Sequence, residues 1–123
     1  MNKNNTTFKV CYFLLFFIYL SFTTISFSTS ILEGAREGNK VILIRHALAP
    51  GGGDPNDFKI GDCKTQRNLN ETGIEQSQKI GKIFKDNKIP IDIVLSSEWC
   101  RCKDTAFHAF GTFKEFSALN STF

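Results

Sequence analysis

The stretch Val41–Pro50, VILIRHALAP, decides the fold of this chain. Its first four residues, 41–44, are all apolar and mostly β-branched, which predicts a strand buried on both faces. Arg45 and His46 follow this strand at once. A guanidinium and an imidazole at the end of a buried strand have no packing role, so their position indicates a functional site.

The segment after the strand predicts a long loop and then a helix. Residues 47–69 contain two prolines and three consecutive glycines, a composition typical of irregular structure. The spacing predicts a helix over 71–86 with Asn70 as its N-cap, or with Thr72 and Glu75 as a capping box. Small side chains on one helix face lead us to expect close contact between this helix and a sheet.

The rest of the chain continues the alternation of strands and helices. Residues 91–97 predict a second strand, residues 101–110 a second helix that ends at Gly111, and residues 112–120 a third strand. Alternating strands and helices favour an α/β fold with a mostly parallel sheet. Ligands of such sheets bind beyond the carboxyl ends of the strands.

Three side chains fall at that edge of the predicted sheet: Arg45, His46 and Arg101. Two guanidinium groups can bind the oxygens of a phosphoryl group through paired hydrogen bonds. An imidazole between them can attack phosphorus, and amides at the start of the second helix favour an anion. The pattern therefore predicts phosphoryl chemistry.

Three segments together resemble the histidine phosphatase superfamily, which includes the phosphoglycerate-mutase-like enzymes. IRHA at 44–47 is similar to its Arg-His-Gly signature, with Ala47 in place of glycine. LNETGIEQS at 69–77 and SEWCRCKDTA at 97–106 resemble two later family segments, in the family's order. The resemblance implies a three-layer α/β/α domain with a mostly parallel sheet.

The resemblance also implies a phosphatase that hydrolyses phosphoric monoesters through a phosphohistidine. His46 is the implied nucleophile, Arg45 and Arg101 hold the phosphoryl group, and Arg67 is a further substrate-binding candidate. The implied substrate is a phosphorylated small molecule, and neither a metal nor another cofactor is expected.

Two parts of the family site are not found in this sequence. The second active-site histidine has no equivalent, because the one other histidine, His108, is expected to be an ordinary helix residue. The general acid is unassigned, since its expected place holds Ser121. We therefore expect residues 31–123 to be the N-terminal part of a domain truncated at the C-terminus. The alternatives are a non-catalytic phosphate-binding member and a membrane-anchored interaction domain.

The N-terminus predicts export. Lys3 and Lys9 precede an apolar run and then a small, hydroxyl-rich stretch, which is typical of a secretory signal peptide over residues 1–30. The alternative is an uncleaved membrane anchor over residues 10–32. Either arrangement places the remaining chain in the periplasm or outside the cell.

Four cysteines and a modest net charge complete the prediction. In an oxidising compartment Cys63 is expected to pair with Cys100 or Cys102, with free thiols and a metal site as alternatives. The chain has 15 basic and 12 acidic side chains, a formal net charge of +3. This balance gives no case for a nucleic-acid partner, which needs a clustered basic face.

Overall fold

The computed structural model describes residues 26–121, and side chains from residue 31 onwards. The predicted signal peptide or anchor lies mostly outside these residues. The described part begins with helix α1, Ser26–Arg36, which reaches into the region where the sequence predicted a polar spacer. Within residues 26–121, none of the helices has the length and apolar character needed to span a bilayer.

Two further helices carry most of the packing that positions the site. Helix α2 spans Glu71–Asp86, as the sequence predicted, and helix α3 spans Cys100–Phe110. The side chain of Asn70 caps α2 by accepting a hydrogen bond from the backbone N–H of Gly73 at 2.9 Å. The left-handed conformation of Gly111, with φ 76°, ends α3.

The small side chains of α2 contact a helix and a loop. A Cβ atom added to Gly81 would overlap the backbone carbonyl of Ala109 in α3, and one added to Gly73 would overlap that of Leu48. Ser77 lies between them with no exposed surface. The expectation that this face packs against a sheet was therefore wrong at Gly81, because α3 takes that place.

The sheet in the described residues has two short parallel strands. Strand β1, Leu95–Ser96, pairs with strand β2, Lys114–Glu115. Helix α3 lies between them in the chain and forms the crossover connection. A short 3₁₀ helix, Ser117–Leu119, follows β2. The predicted second and third strands are thus present in shortened form, and their parallel pairing agrees with the predicted α/β class.

The predicted first strand differs most from expectation. Residues 41–44 are not part of a sheet, and Val41 and Leu43 are 89% and 83% exposed. The prediction of burial on both faces was wrong. The physical reason is that no strand in the described part of the chain pairs with this segment. Instead it lines, together with β1 and α3, an apolar cavity of about 470 Å³.

Candidate active site

His46 lies half-buried at the end of segment 41–46 and borders the cavity described above. Its Nδ1 atom lies 2.7 Å from the backbone carbonyl oxygen of Ala47. A carbonyl oxygen can only accept, so this hydrogen bond requires Nδ1 to carry the hydrogen. The lone pair of the neutral ring is then on Nε2.

The surroundings of His46 favour its neutral form. Burial lowers the pKa of the imidazole below its ordinary value of 6.5, although the hydrogen bond to Ala47 acts in the opposite direction. The positive charges of Arg101, Arg67 and Arg45 lower the pKa further, in that order of effect. The three arginines that the sequence singled out therefore all act on one imidazole.

A threonine hydroxyl joins the first and third sequence motifs. Thr105 accepts a hydrogen bond from the backbone N–H of Ala47 at 3.0 Å and donates one to the backbone carbonyl of Arg101 at 2.7 Å. The hydroxyl is buried and uses both its donor and its acceptor capacity. The residue after His46 is thus fixed to the helix turn that carries Arg101.

A glutamine joins the first and second motifs in the same way. The side-chain oxygen of Gln76 accepts a hydrogen bond from the backbone N–H of Leu48 at 2.9 Å. The absent side chain of Gly73 lets α2 approach the Leu48 carbonyl closely. The three segments of the resemblance are therefore neighbours in space, held by side chains whose contacts the sequence did not predict.

Arg101 is buried and held on two sides. Its side chain is 3% exposed, and its Nη1 atom lies 3.0 Å from each carboxylate oxygen of Asp54. The centre of the guanidinium lies 4.4 Å from the ring centroid of Trp99, a cation–π contact. Its Nε atom is buried and has no hydrogen-bond partner in the described residues.

Arg67 is held in a comparable way by the loop. Its Nη1 atom donates to the backbone carbonyls of Ala49 at 2.7 Å and Gly51 at 3.0 Å. Its backbone N–H donates to Asp54 at 2.8 Å. The Nε atom of Arg67, like that of Arg101, is buried and has no partner among the described residues.

Arg45 differs from the other two arginines. Its side chain is exposed and makes no hydrogen bond or ion pair within residues 31–121. Within these residues no contact competes for its donors, so its guanidinium is available to a ligand.

The loop that carries Asp54 and Arg67 is fastened to α3 beside Arg101. Cys63 and Cys100 form a disulfide, and Cys102 has a free thiol. The side chain of Gln66 is buried and accepts a hydrogen bond from the backbone N–H of Cys100 at 2.9 Å. Of the two pairings that the sequence left open, the structure contains the one with Cys100.

A family model of the histidine phosphatase superfamily (branch 1) matches residues 41–115. The chain belongs to the histidine phosphatase superfamily. Curated proteins and solved structures gave no match. For a histidine phosphatase the expected architecture is a phosphoglycerate-mutase-like α/β fold, and the parallel pair β1 and β2 is consistent with it. Its three layers remain a prediction.

Two other residues of this histidine phosphatase that the sequence analysis discussed are His108 and Ser121. His108 is on α3 and contacts the ring of Phe107, which agrees with its assignment as a helix residue. Ser121 is exposed. In the described part of the chain, no group of three or more side chains could hold a metal ion.

Sequence reasoning missed one charged member of the site. Asp54 lies in a loop of glycines and prolines that has no periodicity, so no pattern placed its carboxylate against Arg101. The signal that could have found it is chemical, since two arginines expected in one small domain need an internal counter-charge when they are buried.

Proposed function

We propose that this chain is a phosphatase that hydrolyses phosphoric monoesters through a phosphohistidine on His46. The observation that supports this most strongly is the state of the imidazole. His46 has its lone pair on Nε2, which has no hydrogen-bond partner in the described residues, and burial and the positive charges of three arginines lower its pKa. A neutral nucleophile beside fixed cations suits attack on a dianionic phosphoryl group.

In the first step, the Nε2 lone pair of His46 forms a bond to phosphorus. The bond between phosphorus and the ester oxygen breaks, and its electron pair leaves with that oxygen. In the second step, a water oxygen attacks phosphorus and the N–P bond breaks. This step releases inorganic phosphate, returns the electron pair to Nε2 and passes the proton of the attacking water to solvent.

The arginines bind the phosphoryl oxygens in this proposal. Arg101 and Arg67 each bind the protein through the side-chain nitrogen Nη1, and each has a buried Nε–H without an acceptor in the described residues. A buried donor without an acceptor costs about 1–3 kcal/mol, and phosphoryl oxygens would remove that cost. Exposed Arg45 would complete the site from the solvent side.

We also propose that the domain is exported and has the three-layer α/β/α arrangement of its family. The disulfide between Cys63 and Cys100 supports an oxidising compartment, where such bonds persist. In this proposal residues 1–30 act as a signal peptide, and the substrate is a phosphorylated small molecule outside the cytoplasm.

The test is hydrolysis of 4-nitrophenyl phosphate by the full chain produced with its disulfide formed. The leaving group of this ester departs without a proton, so the assay does not depend on the unassigned general acid. We expect turnover by the wild-type chain, none by His46→Ala, and wild-type turnover by His108→Ala, the matched histidine control. Equal activity of both variants would contradict the proposal.

The same experiment distinguishes the non-catalytic alternative. A chain that binds inorganic phosphate but leaves 4-nitrophenyl phosphate intact is a phosphate-binding member of the family. A chain that binds no phosphate at all would reject both assignments.

A further inference from the structure

Asp54 is buried against Arg67 and Arg101, two of the three arginines that the proposed function assigns to the phosphoryl group. Its side chain is 7% exposed. One carboxylate oxygen accepts from the backbone N–H of Arg67 at 2.8 Å, and both oxygens lie 3.0 Å from Nη1 of Arg101. One carboxylate therefore fixes the backbone of one anion-binding arginine and the guanidinium of the other.

The carboxylate occupies only one nitrogen of Arg101. Both of its oxygens meet Nη1, whereas a side-by-side pairing would also engage a second nitrogen. The Nε atom of Arg101 stays buried without a hydrogen-bond partner in the described residues. Trp99 lies against the guanidinium, 4.4 Å from the ring centroid, and restricts the tilt of its plane. These contacts hold Nη1 and the plane of the guanidinium and leave its Nε–H unused.

We propose that Asp54 is a positioning residue that aims the Nε edge of Arg101 at the phosphoryl group. Asp54 does not touch the substrate in this account, and it acts through Arg101. The opposite role would be a competing anion that blocks Arg101 until substrate displaces it. The burial of Asp54, its bond to the backbone of Arg67 and the unfilled Nε of Arg101 favour positioning.

The two roles predict opposite changes in phosphate affinity. Asp54→Asn keeps the size of the side chain but removes its charge. Loss of positioning should weaken the binding of inorganic phosphate by on the order of ten- to a hundredfold, the range expected for a hydrogen bond to a charged group. Removal of a competing anion should instead strengthen that binding.

The experiment is isothermal titration of the full chain with inorganic phosphate. We compare wild type, Asp54→Asn, Arg101→Lys and the double variant. Asp57→Asn is the matched control, because Asp57 is an exposed carboxylate of the same loop with no hydrogen bond or ion pair in the described residues. We expect the control to bind phosphate as wild type does.

The double variant separates positioning from a general loss of structure. If Asp54 acts through Arg101, Asp54→Asn should weaken binding far less in the Arg101→Lys background than in wild type. Thermal unfolding of each variant with its disulfide intact gives a second readout. A lowered Tm of Asp54→Asn with unchanged phosphate affinity would show a purely structural role and overturn the proposal.

This inference rests on the proposed anion site, but it fails separately from the proposed phosphatase activity. Phosphate binding that weakens in Asp54→Asn, without turnover by the wild type, would reject the activity and support the positioning role. Turnover by the wild type, with unchanged or tighter phosphate binding in Asp54→Asn, would support the activity and reject the positioning role. A wild-type chain that binds no phosphate would overturn both.

Discussion

Cys63 and Cys100 are joined by a disulfide that links the loop before α2 to the first residue of α3, with their Cα atoms 5.6 Å apart. The next residue along the chain is Arg101, and the loop carries Asp54 and Arg67. The covalent link therefore connects the two segments whose arginines form the proposed anion site. Beside it, Gln66 accepts a hydrogen bond from the Cys100 backbone.

Loss of this disulfide should destabilise the protein and weaken its anion site together. We expect the Cys63→Ser, Cys100→Ser double variant to lose about 2–5 kcal/mol of unfolding free energy, the usual cost in a small exported domain. Guanidinium chloride unfolding measures the loss, and phosphate titration measures the site. Cys102→Ser is the control, because Cys102 is not in the disulfide. Equal stability of the double variant and the control would contradict the prediction.

Arg101 and Arg45, the two arginines first predicted to bind the phosphoryl group, should differ in their effect on stability. Arg101→Ala leaves the buried carboxylate of Asp54 without its ion-pair partner, which should cost about 3–5 kcal/mol. Arg45→Ala removes an exposed side chain that has no partner in the described residues and should leave stability within about 0.5 kcal/mol of wild type. Both variants should lose phosphatase activity. Thermal unfolding beside the 4-nitrophenyl phosphate assay checks both statements, and a large stability loss in Arg45→Ala would refute them.

Replacing Gly81 with alanine is expected to destabilise the protein. Alanine normally stabilises a helix relative to glycine by about 1 kcal/mol. At Gly81 the sign should reverse, with a loss of about 1–3 kcal/mol, because the added Cβ would overlap the Ala109 carbonyl of α3. Gly34→Ala in α1 is the control, since nothing lies within 4 Å of its added Cβ. Denaturant unfolding that shows Gly81→Ala to be as stable as wild type would be inconsistent with this close contact.

The lowered pKa of His46 predicts a defined response to acid. Burial and the three arginines favour the neutral imidazole in the folded state, so protonation costs more there than in the unfolded chain. The unfolded state then binds more protons just below pH 6.5, and stability should fall as the pH drops through that window. Well above pH 6.5 the ring is neutral in both states and its effect on stability is constant.

The measurement is the difference in unfolding free energy between wild type and His46→Asn across pH 5–8. Wild type should lose stability relative to the variant as the pH falls from about 7 through 6.5 and below, and the acid limb of kcat/KM should lie below 6.5. A nuclear magnetic resonance titration of the ring, assigned with His108→Gln, reports the same group directly. A His46 midpoint above 6.5 would contradict the account.

Local signals in the sequence were enough to place α2 and α3. Asn70 supplies a capping side chain and Gly111 a left-handed end, and both act within one turn of the chain. Segment 41–44 shows the limit of this reasoning. A run of apolar residues indicates a preference for burial, but a buried strand needs a neighbouring strand to pair with. The run itself indicates neither which strand that is nor the register of the pairing.

The contacts that assemble the site could not be predicted from the sequence because they are polar and join residues far apart in the chain. Thr105 and Gln76 belong to motifs that the sequence singled out, yet their bonds to Ala47 and Leu48 depend on how the segments fold together. Asp54 lies in a loop without periodicity. The choice of Cys100 over Cys102 depends on helix geometry, since residues two apart point to different sides of a helix.

The most direct test of the central claim is to look for a phosphate on His46 itself. The full chain is mixed with 4-nitrophenyl phosphate, quenched in alkali to preserve a phosphoramidate, and its peptides are examined by mass spectrometry. The account predicts a phosphoryl group on His46, none on His108, and none anywhere in His46→Ala. Turnover without a phosphorylated His46, or phosphorylation that persists in His46→Ala, would contradict it.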